Sequence, residues 1–157
     1  MQIKGYVSAI LEVISSCPFI ESQNLSFEER PPNAAFITGI IAFTNNSKLH
    51  FKEFVVFKPE GVNIVKYGYS YLDKNGALIF RYDNALDPKA KKLSTYPKHK
   101  HVSKKLMPSQ RPDLKEVLNE ISNHIEELSD LKAIEDRINE PVESYEAYSQ
   151  KRKSKKR

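Results

Sequence analysis

The stretch Asn63-Ile64-Val65-Lys66-Tyr67-Gly68-Tyr69-Ser70-Tyr71-Leu72-Asp73-Lys74-Asn75-Gly76-Ala77-Leu78-Ile79-Phe80-Arg81-Tyr82-Asp83 decides the fold class. Two runs rich in β-branched and aromatic residues flank a polar turn, the signature of a β-hairpin. Asn75-Gly76 suits a two-residue turn, and Asp73 to Gly76 suits a four-residue one. Side-chain parity is the same for both. Ile79, Arg81 and Asp83 share a face with Lys66, Gly68 and Ser70, and the other face carries Tyr67, Tyr69, Tyr71, Phe80 and Tyr82.

Working towards the N-terminus, Lys48 to Lys58 and Ala34 to Thr44 read as two more strands, separated by Pro59-Glu60-Gly61 and Asn45-Asn46. The Ala34 run is apolar on both faces, as expected of a central strand. Residues 21–33 are polar and end in Arg30-Pro31-Pro32-Asn33, which predicts a loop. Before it, Tyr6, Ile10, Val13, Ile14 and Cys17 form a helical stripe that Pro18 ends. Beyond the hairpin, residues 85–111 hold prolines and eight cations without sustained periodicity, which predicts a long basic loop. Leu114, Val117, Leu118, Ile121, Ile125 and Leu128 then mark a second helix, with Pro112 suited to its first turn. Residues 130–141 extend it or form a short third helix. The expected architecture is α+β: an antiparallel β-meander of about four strands flanked by an N-terminal helix and a C-terminal amphipathic helix. Residues 1–141 form one domain, and residues 142–157 form a disordered basic tail.

Net charge is +5 over 157 residues, but the basicity is local. Residues 88–111 and 150–157 together carry fourteen cations and no carboxylate, leaving the remainder at −9. A polyanion such as RNA is the partner such clustering fits. The single cysteine, Cys17, rules out an intrachain disulfide framework and points to the cytoplasm. The N-terminal apolar run is too short and too interrupted for a signal peptide or membrane span.

If the aromatic face is core, the other face offers Lys66 and Arg81 to phosphate beside Asp83. If it is open, its rings make a stacking platform for unpaired bases. Aromatic stripes on strands are more often core, and we take the first picture. Glu53 falls on the apolar parity of Leu49, Phe51, Val55 and Phe57, so its carboxylate needs a buried partner such as Arg81, or an edge position that reaches water. In the basic loop, His99 and His101 point the same way when extended. They suit a metal only if further ligands exist, and Cys17 and His124 are poor ones. The other use of the pair is proton transfer on RNA.

Phe80-Arg81-Tyr82-Asp83-Asn84 followed by Pro97-Lys98-His99-Lys100-His101 resembles the TumE family of toxin–antitoxin proteins. Pro18-Phe19-Ile20-Glu21-Ser22, the strand Leu49-His50-Phe51-Lys52-Glu53-Phe54, Tyr69-Ser70-Tyr71 and Leu114-x-x-Val117-Leu118 extend the resemblance over roughly residues 18–125. It departs at Asp87-Pro88 and Lys98, where the family often carries histidine. The resemblance implies a toxin with a cognate antitoxin partner. The expected activity is metal-independent cleavage of RNA without a cofactor. His99 and His101 would be base and acid, with Arg81 and Lys98 on the phosphate and Asp83 orienting Arg81 or a histidine. Lys66, Lys100, Lys104 and Lys105 would be further nucleic-acid contacts. The rival expectation is a non-catalytic RNA-, DNA- or ribosome-binding protein using the loop and tail. The sequence leaves open a homodimer.

Overall fold

The computed structural model describes residues 2–140, so the tail expected at 142–157 lies outside the described residues. By compactness the chain divides into residues 1–123 and the residues from His124 onward. The elements are α1 (Ile3–Ser15), β1 (Ile20–Arg30), β2 (Ala34–Phe43), β3 (Lys48–Lys58), β4 (Gly61–Leu72), β5 (Leu78–Asp83), a 3-10 turn at Pro88–Ala90, β6 (His99–Val102), β7 (Lys105–Pro108) and α2 (Leu114–Asn139). The expected α+β class holds, and α2 absorbs residues 130–139 instead of yielding to a third helix. Asp113 caps it, its side chain accepting from Glu116 N at 2.8 Å.

The described sheet has seven antiparallel strands in sequence order, not four. Two readings explain the difference. The polar segment taken as a loop is the edge strand β1, paired with β2 from Ile20↔Phe43 to Arg30↔Ala34. Most of its side chains are exposed, so no alternation of polarity records it. The basic loop contains the hairpin β6–β7, which adds to β5 through Phe80↔Val102, Arg81↔His101, Tyr82↔Lys100 and Asp83↔His99. Its strands are four residues each, too short for a periodic signal. The β4–β5 connection takes the second expected form, a four-residue turn from Asp73 to Gly76 closed by Gly76 N–H donating to Asp73 O at 3.0 Å. Asp73 N–H donates to Ala77 O at 2.9 Å around Lys74-Asn75-Gly76, and Gly76 takes the left-handed conformation at φ 82°.

The aromatic face is the covered one. Tyr69 and Tyr71 are fully buried, and Tyr67 and Phe80 nearly so. Phe51 stacks on Tyr69 and Tyr69 on Tyr67, at centroid separations of 5.4 and 5.3 Å. Helix α1 reaches this face through Tyr6, which meets Phe57 edge-on. The start of α2 reaches it through Glu120, whose carboxylate accepts from Tyr82 Oη at 2.9 Å.

Glu53 lies inside this layer at 2% exposure. Its partner is not Arg81, which stands on the opposite face. The hydroxyls of Tyr6 and Tyr69 donate to its two carboxylate oxygens, the latter at 2.7 Å, and Arg111 Nη1 donates to Tyr69 Oη at 3.3 Å. Burial pushes the Glu53 carboxyl above its ordinary range, against the pull of both hydroxyls and of Arg111. A raised carboxyl holds its proton more tightly in the folded than in the unfolded chain. Its contribution to stability is therefore full below the unfolded value of 4.5 and declines as pH rises past it, until the folded group ionises. Glu53→Gln is expected to remove this decline. Glu53→Ala, which strips two buried hydroxyls of their acceptor, is expected to cost about 2–4 kcal/mol. Urea unfolding of the three proteins between about pH 4 and 8 measures both effects, and equal pH slopes for the parent and Glu53→Gln would overturn the assignment.

Candidate functional site

Antiparallel pairing sets residues of neighbouring strands directly opposite one another, with Cβ atoms about 4.5–5.5 Å apart. On the uncovered face, the register aligns two rows across six strands. One runs Asn24, Ile40, His50, Ser70, Arg81, His101; the other runs Ser26, Thr38, Lys52, Gly68, Asp83, His99. Their members from β1 to β5 line a groove of about 670 Å³. Gly68 leaves room in its floor, since the nearest atom to a Cβ added there is Lys52 Cε at 4.0 Å. Arg81 Nε donates to Ser70 Oγ at 2.8 Å, which ties the guanidinium to the floor.

At the β5–β6 end, the two rows finish in a cluster. His99, 1% exposed, places Nε2 2.9 Å from Asp83 Oδ1 and 3.1 Å from His101 Nε2. Its Nδ1 donates to Pro97 O at 2.6 Å, a carbonyl that can only accept. His101 Nε2 is 3.6 Å from Asp83 Oδ2. Asp83 Oδ1 also accepts from Ala85 N at 3.0 Å, which fixes the carboxylate between the chain leaving β5 and the two rings. Burial pushes His101 below the ordinary histidine value, against the opposing pull of Asp83. The ring therefore keeps a lone pair at neutral pH.

The surrounding loop is held from several sides. Asn84 extends the β4–β5 contact with its side chain, accepting from Tyr67 N at 3.0 Å and donating to Val65 O at 2.9 Å. Thr95 Oγ1 donates to Lys98 O at 2.6 Å and accepts from Ser109 N at 3.0 Å, so the segment entering β6 is clamped to the one leaving β7.

The structure thus brings together Arg81, Asp83, His99 and His101. Lys66 is exposed on β4 at the parity of Gly68 and Ser70. Lys98 turns to Gln110 Oε1 at 3.4 Å, and Lys104 and Lys105 lie exposed at the β6–β7 turn. Lys100 leaves the group. It faces the covered side opposite Tyr82, bonds Glu120 Oε1 at 2.5 Å, and sits 4.6 Å from the Tyr82 ring centroid. Glu53 belongs to the core and not to the groove. His50, Lys52 and Ser70 escaped the sequence reading as groove residues. Their parity matches Arg81, but only the register aligns them with it.

The family model described as Toxin TumE matches residues 10–129, most of the chain and every strand of the sheet. This chain belongs to the TumE toxin family. Membership identifies it as the toxin component of a toxin–antitoxin module and implies a cognate antitoxin. Neither the curated proteins nor the solved structures compared with this TumE-family chain give a match. Among the described residues, no helix is long and apolar enough to cross a membrane.

Two residues on the same face of β5, one exposed and one buried, predict opposite mutational behaviour. Arg81→Ala removes an exposed side chain and is expected to change stability by no more than about 0.5 kcal/mol. Asp83→Ala leaves the buried His99 imidazole without its acceptor and is expected to cost about 1–3 kcal/mol. Chemical denaturation of both variants checks this, and equal losses would contradict the arrangement.

Proposed function

We propose that this toxin cleaves RNA without a metal, with the β5–β6 cluster as its proton-transfer end and the groove as its binding track. The observation that carries the reading is the convergence of Arg81, Asp83 and the two histidines at the end of a groove that also presents His50 and Lys52. The role of each histidine follows from its burial. His101 is the ring that meets RNA, since 27% of its side chain is exposed against 1% for His99. His99 is a positioning residue, held by Pro97 O and Asp83.

The reaction is transphosphorylation. With its hydrogen on Nε2, facing Asp83, His101 offers the Nδ1 lone pair to a ribose 2′-hydroxyl. The hydroxyl gives up its proton, the 2′-oxygen bonds to phosphorus and the P–O5′ bond breaks. The imidazolium returns a proton to the leaving 5′-oxygen, leaving a 2′,3′-cyclic phosphate and a 5′-hydroxyl. Asp83 favours the transient imidazolium, and Arg81 favours the charge gathering on the phosphoryl oxygens. Exposed Lys66, Lys104 and Lys105, with half-buried Lys98, raise the local potential for a polyanion. The cytoplasm is where such a substrate is met.

Incubation of the tag-free toxin, freed of antitoxin, with RNA in EDTA is the test. The parent is expected to cleave. His101→Ala and Arg81→Ala are expected to lose about 100-fold or more while staying folded, the usual scale for a general base or a charge-stabilising donor. Gly68→Val, which fills the groove floor beside Lys52, is expected to weaken RNA binding. Salt-sensitive RNA binding with no cleavage by the parent would sink the catalytic reading and favour a non-catalytic nucleic-acid-binding protein.

A further inference from the structure

The donor geometry at the end of the groove fits a second kind of occupant. His99 Nε2, His101 Nε2 and the Asp83 carboxylate present three ligand atoms that all lie within 4.8 Å of one another. The two separations measured from His99 Nε2 are 2.9 Å to Asp83 Oδ1 and 3.1 Å to His101 Nε2, and His101 Nε2 lies 3.6 Å from Asp83 Oδ2. Ligands bound at about 2.0–2.1 Å to one ion stand about 2.9–3.4 Å apart, from octahedral to tetrahedral geometry. The two separations from His99 Nε2 therefore already fall in the range for ligands of one ion before any ion enters, and the 3.6 Å from His101 Nε2 to the second carboxylate oxygen, Asp83 Oδ2, lies only slightly beyond it.

The outer contacts also match. A metal-binding histidine commonly donates its second ring N–H to a backbone carbonyl, which fixes the tautomer and aims the other nitrogen at the ion. His99 does this through Nδ1 and Pro97 O. Because that carbonyl only accepts, Nε2 is the nitrogen left to face Asp83 Oδ1 and His101 Nε2, and the latter offers a lone pair in the tautomer of His101 that carries its hydrogen on Nδ1. What sits among the three atoms is either a proton or a cation. One ligand is buried and two are partly open, so the remaining coordination positions face solvent.

We propose that Asp83, His99 and His101 bind one divalent first-row cation of the zinc class, and that the bound ion switches off the proton chemistry. Two imidazoles and one carboxylate suit Zn²⁺, Co²⁺ or Ni²⁺ better than Mg²⁺ or Ca²⁺, which seek all-oxygen shells. The switching half rests on the RNA-cleaving reading above. Once Nε2 of His101 is on the ion, the hydrogen of the neutral ring sits on Nδ1. The lone pair that would take the 2′-hydroxyl proton is then gone.

Titration of the tag-free protein with Co²⁺, read by its visible absorption, and competition by Zn²⁺ test the site. The parent and His50→Ala are expected to bind one equivalent, with Asp83→Asn and His101→Ala weakened by about 10-fold or more. No binding by the folded parent, or equal binding by all four proteins, would overturn the site. In the RNA assay, one equivalent of Zn²⁺ is expected to stop cleavage and EDTA to restore it. Undiminished cleavage by the zinc-loaded parent would overturn the switch. A parent that binds Co²⁺ as expected yet cleaves RNA in neither state retains the site, refutes the switch and locates the failure in the RNA-cleaving reading. Cleavage that appears only with the ion bound would overturn both the switch and the metal-free mechanism.

Discussion

The fold depends on one buried carboxylate. Glu53 on β3 is met by a tyrosine from α1 and a tyrosine from β4, and Arg111, just before α2, bonds the second of them. A lone buried charge at this point would be expensive, and removing either tyrosine leaves one carboxylate oxygen without its donor. The set therefore admits one arrangement of helix, sheet and connecting segment. It also selects which face of the sheet is covered, because the same tyrosine stripe supplies both the apolar layer and the hydroxyls that satisfy Glu53.

That selection leaves the face of the candidate site open. With the aromatic side occupied, the alternate residues of β1 to β5 are left to line a groove in which polar groups predominate, and the pairing register sorts them into rows. Arg81 and Asp83 gain chemical value from their neighbours across the sheet: Ser70 and Gly68 on one side, His101 and His99 on the other. The toxin's candidate site is built on strands, whose register fixes side-chain positions more firmly than a mobile loop would. The same strands separate Lys100 from the other cations of its segment. Parity turns it to the covered face, where Glu120 and the Tyr82 ring take up its charge.

The cluster at the sheet end is economical in its parts. One carboxylate, two imidazoles and one backbone carbonyl are enough either to share protons or to surround an ion, and a buried histidine can do neither without the acceptor opposite it. Asp83 is therefore a structural residue that seats β6 on β5 and, in the proposed reaction, the group that orients His101.

The sequence by itself determined the strands from Ala34 to Asp83, both helices, the face on which Arg81 and Asp83 lie and the family. These rest on local periodicity, turn chemistry and motif order, all of which are written along the chain. It also marked Glu53 as a residue in need of a partner without saying which. Tertiary structure alone decided that Tyr6 and Tyr69 are those partners, 47 and 16 positions away. It alone made strands of residues 20–30 and of the His99–Pro108 hairpin. An exposed edge strand has no buried side to alternate with, and a four-residue strand holds only two repeats of the strand period, too few to stand out. Pairing of β6 with β5 then set His99 opposite Asp83 and His101 opposite Arg81. That contact is specified by register between distant segments, and no local pattern encodes it.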